Sequence, residues 1–298
     1  RQCQNENIYY DVCQIHFLNP IYAKIADRLK KISRKVVITP WGSDVLRAKK
    51  YQLRGLRKLV QKSNWVTCTQ GSRFEKDIVT LLDIPKEKLY NLPIGIASID
   101  EILSRPFITD EQAKRVWGFE GKYVIVIGYN GSPAHNHIKV IKSLVFMKKQ
   151  LPTNTILVCP MTYGGNPVYR KKIKRLLWNS QFENQILENY LTAEELVCLR
   201  KATDLFIHAQ NTDANSGTIA EYLLCRKKIV NPTWITYPHY ETYGSPFYSF
   251  SNFEELPQAI MKAINDTSNK VSPLLTGNIS ESGWSKLACK WVELYKKY

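Results

Sequence analysis

Short apolar runs and longer amphipathic stretches alternate along most of the chain. Residues 11–18, 35–39 and 64–69 read as strands. Each is followed by a helical pattern: 22–32, then 51–62 with Leu53, Leu56, Leu59 and Val60 on one side, then 72–82. Ser72 and Glu75 form a capping box that marks the start of the third helix. A second series begins at Tyr123. Strands at 123–127, 155–159, 185–188, 204–208 and 228–230 interleave with helices at 136–149, 167–178, 193–201 and 216–224. A segment at 253–264 and a final helix at 285–295 close the chain. Between the series, residues 92–96 read as a short strand and the irregular stretch to Gly121 as an interdomain linker. Such alternation implies βαβ units and parallel sheets, hence two doubly wound α/β domains facing a cleft.

Composition narrows this picture without redirecting it. The 298 residues are 44% hydrophobic and 11% aromatic, which is ample for packed cores and excludes a disordered chain. No apolar run approaches the ~18 residues of a spanning helix. The first seven residues lack the apolar stretch of a signal peptide and do not begin with Met, so the chain is expected to start inside a longer protein. Seven scattered cysteines without a Cys-x-x-Cys pair fit a reducing compartment better than a disulfide framework. The net charge of +16 is concentrated: residues 22–62 hold thirteen Lys or Arg against Asp27 and Asp44, a surplus of +11. Such a patch suits an anionic membrane surface or nucleic acid, or is simply a solvated helix face.

In an open α/β sheet, ligands sit beyond the carboxyl ends of the strands. After the strand at 123–127 comes Gly128–Tyr–Asn–Gly–Ser–Pro–Ala–His–Asn–His137. Gly128 and Gly131 would let the backbone approach a ligand, and Asn136 opens a helix whose free amides favour an anion. His135 and His137 suggest a metal, but no further zinc ligands are visible. After the strand at 204–208, Asp213 and Glu221 lie eight apart across a small, polar helix start. Ser216, Gly217 and Thr218 could present amides and hydroxyls to a diphosphate, and Glu221 could accept from a ribose. Thr218 and Glu221 read equally well as a plain capping box.

The stretch Tyr190–Leu–Thr–Ala–Glu–Glu–Leu196, the strand after it and Asp213-x7-Glu221 resemble the C-terminal domain of the large retaining family of GT-B glycosyltransferases. Asp11–Val–Cys–Gln–Ile–His–Phe17, Trp41–Gly–Ser–Asp–Val45, Leu92–Pro–Ile–Gly–Ile96 and Trp284–Ser–Lys–Leu–Ala288 resemble further motifs of that family, in its order. The resemblance implies a GT-B fold of two Rossmann-like domains, the N-terminal one incomplete at 1–104. A nucleotide-sugar domain would span 105–280, and 281–298 would cross back to the first domain. It also implies transfer of a sugar from a nucleotide-diphosphate sugar with retention, no metal and no further cofactor.

Carried over by motif, Asp213 meets the sugar and Glu221 the ribose, while the chain at Asn189–Tyr190 meets the base. Asn215, Ser216, Gly217 and Thr218 hold the diphosphate from one side. Gly131, Ser132, His135 and Asn136 hold it from the other, with Thr162 and Tyr163 beside them. Asp44 and Ser43 are the N-terminal candidates, Asp44 for catalysis or, alternatively, as a helix cap. Where the family carries an Arg and a Lys for the diphosphate, this chain has Tyr129 and His135. The loop at 128–138, with Pro160–Met–Thr–Tyr–Gly–Gly165 and the basic sequence around Arg170, looks closer to bacterial fucosaminyltransferases that act on lipid-linked acceptors. A glycan or polyprenyl-diphosphate acceptor, a role in surface polysaccharide synthesis and a cytoplasmic site on the inner face of an anionic membrane follow as expectations, with no nucleic acid. A basic nucleic-acid binder and a sugar-nucleotide epimerase remain the alternatives.

Overall fold

The computed structural model describes residues 8–297. Cys3 and the rest of the first seven residues lie outside that range, and the six other cysteines are free. The first sheet contains β1 (Tyr10–His16), β2 (Ser33–Thr39), β3 (Trp65–Cys68) and β4 (Leu89–Asn91), parallel and in that order. Val36, Val37 and Ile38 of β2 are fully buried, as expected of a parallel strand covered on both faces. One face carries α1 (Pro20–Ile32) and α3 (Lys50–Lys62), and α4 (Arg73–Leu82) follows β3. Leu56, Leu59, Phe74 and Ile78 face inward from these helices. Ser72 caps α4 by accepting from the Glu75 amide. The opposite face is closed by the last helix, α14 (Trp284–Lys296), whose Leu287, Trp291 and Leu294 pack on Val37 and Leu92. The Trp291 indole N–H donates to the Pro93 carbonyl at 3.0 Å.

The second sheet contains β5 (Tyr123–Ile127), β6 (Thr155–Pro160), β7 (Glu183–Leu187), β8 (Leu205–Ile207), β9 (Lys228–Pro232) and β10 (Phe247–Phe250). All pairs are parallel, in the order β10-β9-β8-β5-β6-β7. The chain therefore builds outward from β5 in one direction, then returns to build from β8 in the other. This reversal leaves a crevice at the carboxyl ends of β5 and β8. On one face lie α7 (His137–Phe146), α8 (Pro167–Ser180) and α12 (Leu256–Asn265). The other face holds α9 (Ala193–Ala202), α10 (Gly217–Leu224) and α13 (Pro273–Ser280).

Two sequence expectations change in the connection between the sheets. Residues 92–96 form no strand; β4 precedes them. The stretch read as irregular linker contains α5 (Ala97–Leu103) and α6 (Asp110–Trp117), which pack on α9 and α10. These helices are too short for a clear periodicity: α5 buries Ile99 and Ile102, and α6 buries Ala113 alone. The Thr109–Gln112 capping box was their clearest local signal. The aromatic group at 234–248 is mostly core, with Tyr237, Tyr240, Phe247 and Tyr248 buried, while Trp234 stays 41% exposed.

Candidate functional site

The loops that leave β5 and β8 share the crevice but use their backbone amides differently. In the loop after β5, the Gly131 N–H donates to the Tyr163 carbonyl at 2.7 Å and the Ser132 N–H to Asn130 Oδ1 at 2.8 Å. The His135 and Asn136 amides donate to the Ser132 and Pro133 carbonyls. The first amides of α7, at His137 and Ile138, meet the Tyr169 hydroxyl. Asn136 adopts a left-handed φ of 55° and donates its side-chain amide to the Ala209 carbonyl and Asn211 Oδ1. The glycines fasten this loop to its neighbour after β6: a Cβ on Gly165 would lie 2.1 Å from the Gly131 carbonyl oxygen. Close approach to a ligand was the sequence expectation for Gly131; the close partner found is the Gly164–Gly165 turn.

The two histidines of this loop are interior groups. His135 is 1% exposed, with the Tyr129 ring edge-on at 4.3 Å. Burial, helped by His137, His208 and Arg47 nearby, holds its imidazole well below the usual histidine range. His137 is fully buried, its Nδ1 3.2 Å from the Tyr169 hydroxyl, and burial lowers it to about 4. Both rings are neutral at neutral pH, so His135 supplies no cation to a phosphate. Among the described residues no group of three or more His, Cys, Asp or Glu is placed to hold a metal ion.

The loop after β8 leaves its helix start open. Ser216, at the N-cap of α10, makes no side-chain bond to the helix. Asn215 and Gly217 line a cavity of about 250 Å³ with Thr39, Thr67 and Thr69 from the strand ends of the first sheet. Asn215 also donates to Thr69 Oγ1 at 3.0 Å. Asp213 accepts from the Ala214 amide at 2.8 Å and from the Tyr237 hydroxyl at 2.6 Å, and its Oδ2 lies 3.4 Å from His208 Nε2. His208 Nδ1 is 2.8 Å from Asn231 Oδ1, and the Asn231 amide nitrogen donates to the Pro232 and Ile235 carbonyls. That orientation puts a proton on Nδ1 of His208 and turns Nε2 toward Asp213.

Glu221 is placed differently from a free ribose acceptor. It is 6% exposed, accepts from Arg200 Nε at 2.7 Å, and its other oxygen takes the Ser98 hydroxyl. Tyr163 and Tyr190 stand at the ends of β6 and β7, stacked at 6.2 Å with 6° between planes and 45% and 77% exposed. Thr162 beside them is half-buried. On the opposite side of the cleft, Asp44 is a turn-holding residue. Its carboxylate accepts from the backbone N–H groups of Leu18 at 2.6 Å, Gly42 at 2.7 Å and Trp41 at 3.0 Å. This joins the ends of β1 and β2 and leaves Asp44 9% exposed. These bonds hold the turn that precedes the short helix at residues 43–46, whose N-cap Gly42 has no side-chain cap bond.

A second cavity of about 460 Å³ brings Ser43 and Arg47 together with Tyr163, Asp213 and Ala214. Gly131, Ser132, His135 and Asn136 do not line it, and neither does Glu221. Sequence reading missed Arg47, Ser98 and Arg200 as residues of this region. Arg47 is one of thirteen basic residues in its region, and nothing in its spacing sets it apart. Arg200 lies in the last turn of its helix beside Lys201, where nothing in the sequence marks it as buried.

Comparison with solved structures defines the class: the chain has the GT-B fold. A glycosyltransferase from Rickettsia africae superposes with a TM-score of 0.74 at 16% identity, over 99% of this chain and 78% of its own. Sucrose-phosphate synthase from Thermosynechococcus elongatus gives 0.70 at 14%, over 96% and 73%. HepE from Anabaena, solved with UDP and glucose, gives 0.71 at 16%, over 97% and 78%. No protein-family model and no curated protein matches the chain.

Proposed function

We propose that the protein is a glycosyltransferase that moves a sugar from a nucleotide-diphosphate sugar to a glycan or polyprenyl-diphosphate-linked acceptor, with retention and without a metal. The observation that carries this reading is the uncapped start of α10, open to the cleft beside Asp213. Negative charge grows on the leaving diphosphate during transfer, and preorganised donors stabilise it most where water is excluded. The amides at Ser216, Gly217 and Thr218 take the diphosphate. Asp213, oriented by Tyr237, meets the sugar hydroxyls, and the Tyr163–Tyr190 pair lies beside the base. Glu221 reaches the ribose by exchanging the Ser98 hydroxyl for one of the ribose. The loop of Gly131, Ser132, His135 and Asn136, with Thr162, backs the site by shape. No observation favours nucleic-acid binding or epimerisation.

Thermal-shift measurements with UDP, GDP and TDP test this reading. At least one is expected to raise the melting temperature, and the UDP in the HepE structure makes UDP the first to try. Absence of any shift would overturn it.

The basic surface of α1 and α3 supports a cytoplasmic enzyme on the inner face of a membrane, working in surface polysaccharide synthesis. Lys24, Arg28, Lys31, Arg54 and Lys58 are exposed on α1 and α3, next to Ile21 at 56% and Tyr51 at 68% exposure. Each such cation contributes on the order of 1 kcal/mol at an anionic surface. Among the described residues no helix is long and apolar enough to cross a membrane. Pelleting with anionic liposomes should occur at low salt and fade as salt rises; absent or salt-independent pelleting would refute membrane docking.

A further inference from the structure

Tyr129 and the neutral, buried His135 stand on the wall beside the α10 start, and neither can balance a diphosphate. We propose, resting on the donor reading above, that Arg47 reaches across from the first domain to grip the donor diphosphate. The donor site would then be complete only when the two domains meet.

Arg47 follows α2 (Ser43–Leu46), the short helix whose entry is held by Asp44. Gly42 enters that helix with φ +119°, and a Cβ there would lie 2.5 Å from the Ala214 Cβ. Only a glycine lets the first domain come this close to the loop after β8. The approach brings the Arg47 guanidinium to Thr212: Nε donates to the hydroxyl at 3.0 Å and one Nη to the carbonyl at 3.3 Å. Among the described residues lining the cavity of about 460 Å³, Arg47 is the one Lys or Arg.

Tyr129 ties this cavity to the α10 start. Its ring lines the cavity with Arg47, while its hydroxyl meets the side chains of Ser216 and Gln210. Arg47 is exposed, and two of its five N–H groups are engaged on Thr212, so a planar fork remains for phosphate oxygens. Arg170, the alternative from the second domain, donates to the Gly164 carbonyl at 2.8 Å and does not line the cavity.

The test is calorimetric titration of wild type, Arg47→Ala, Arg47→Lys and Arg170→Ala with the nucleoside diphosphate that wild type binds, and with the matching nucleoside. Circular dichroism and melting temperature would establish that each variant is folded. Losing a charge-assisted pair should weaken the diphosphate roughly tenfold to a hundredfold in Arg47→Ala. The nucleoside should change less than about twofold, because it carries no phosphate for Arg47 to grip. Lysine should restore only part of the loss, since it lacks the planar fork. Equal weakening of diphosphate and nucleoside would make Arg47 a mere interdomain latch and overturn the proposal. So would unchanged binding in Arg47→Ala, or a larger phosphate-dependent loss in Arg170→Ala. If wild type binds no nucleoside diphosphate, the donor reading falls and this proposal with it; if wild type binds and Arg47→Ala binds equally, only this proposal falls.

Discussion

The loops after β5 and β8 contrast sharply although they border one crevice. The first has the glycines, the histidines and the strand-to-helix turn that suggest a phosphate site, yet its amides are spent on its own carbonyls and on its neighbour loop. The second has one glycine at the helix start, no side-chain cap and a carboxylate steered by a buried tyrosine. A glycine-rich turn is thus a statement about where the backbone can go, not about what it meets. What decides an anion site is whether the amides still lack partners once the fold has closed.

The sharpest way to break this comparison is to undermine the open loop from below. The Arg200–Glu221 pair lies one turn into α10 with both side chains below 9% exposed. Arg200→Met would leave a buried carboxylate without its cation and should destabilise the fold by ~3–5 kcal/mol. Urea unfolding at neutral pH measures this, and a loss below ~1 kcal/mol would show that the pair is dispensable. Replacing both members with apolar residues should recover much of that stability.

A smaller effect sharpens the other half of the comparison, the closed loop. His137 has a folded-state pKa of about 4 against an ordinary value of 6.5. Between these values the unfolded chain binds the proton and the folded chain does not. Its contribution is therefore complete above pH 6.5 and is lost as pH falls toward 4. The slope is ~1.4 kcal/mol per pH unit for one proton. His135, lowered in the same direction, adds to it. Unfolding free energies of wild type and His137→Gln across pH 4–7 should differ in slope by about one proton. Parallel curves would mean that the ring titrates normally and the loop is open to water.

Much of the scaffold could be read from the residues alone, because long parallel strands and amphipathic helices repeat their patterns over many positions. The strand at 123–127, the Ser72 cap and the final helix at residues 284–296 fall within a residue or two of expectation. The helices α5 and α6 were not legible, since each buries too few residues to show a period. Within the site, Asp213 and the α10 start were visible as a polar interruption after an apolar strand. Asp44 was visible too, but its role was not: three amides from two separate segments claim it, and only folding brings those segments together.

By itself, the sequence determined the kind of fold, the order of its elements and the loops where chemistry is concentrated. These follow from local periodicity, capping and the rule that ligands gather at strand ends. The tertiary structure decided the sign and availability of each group. Burial made His135 neutral, Arg200 and Ser98 occupied Glu221, and the contact of Gly42 with Ala214 brought Arg47 to the opposite wall. Those outcomes depend on desolvation and on contacts between residues 21 or more positions apart in the chain. The sequence pattern contains neither until the chain is folded.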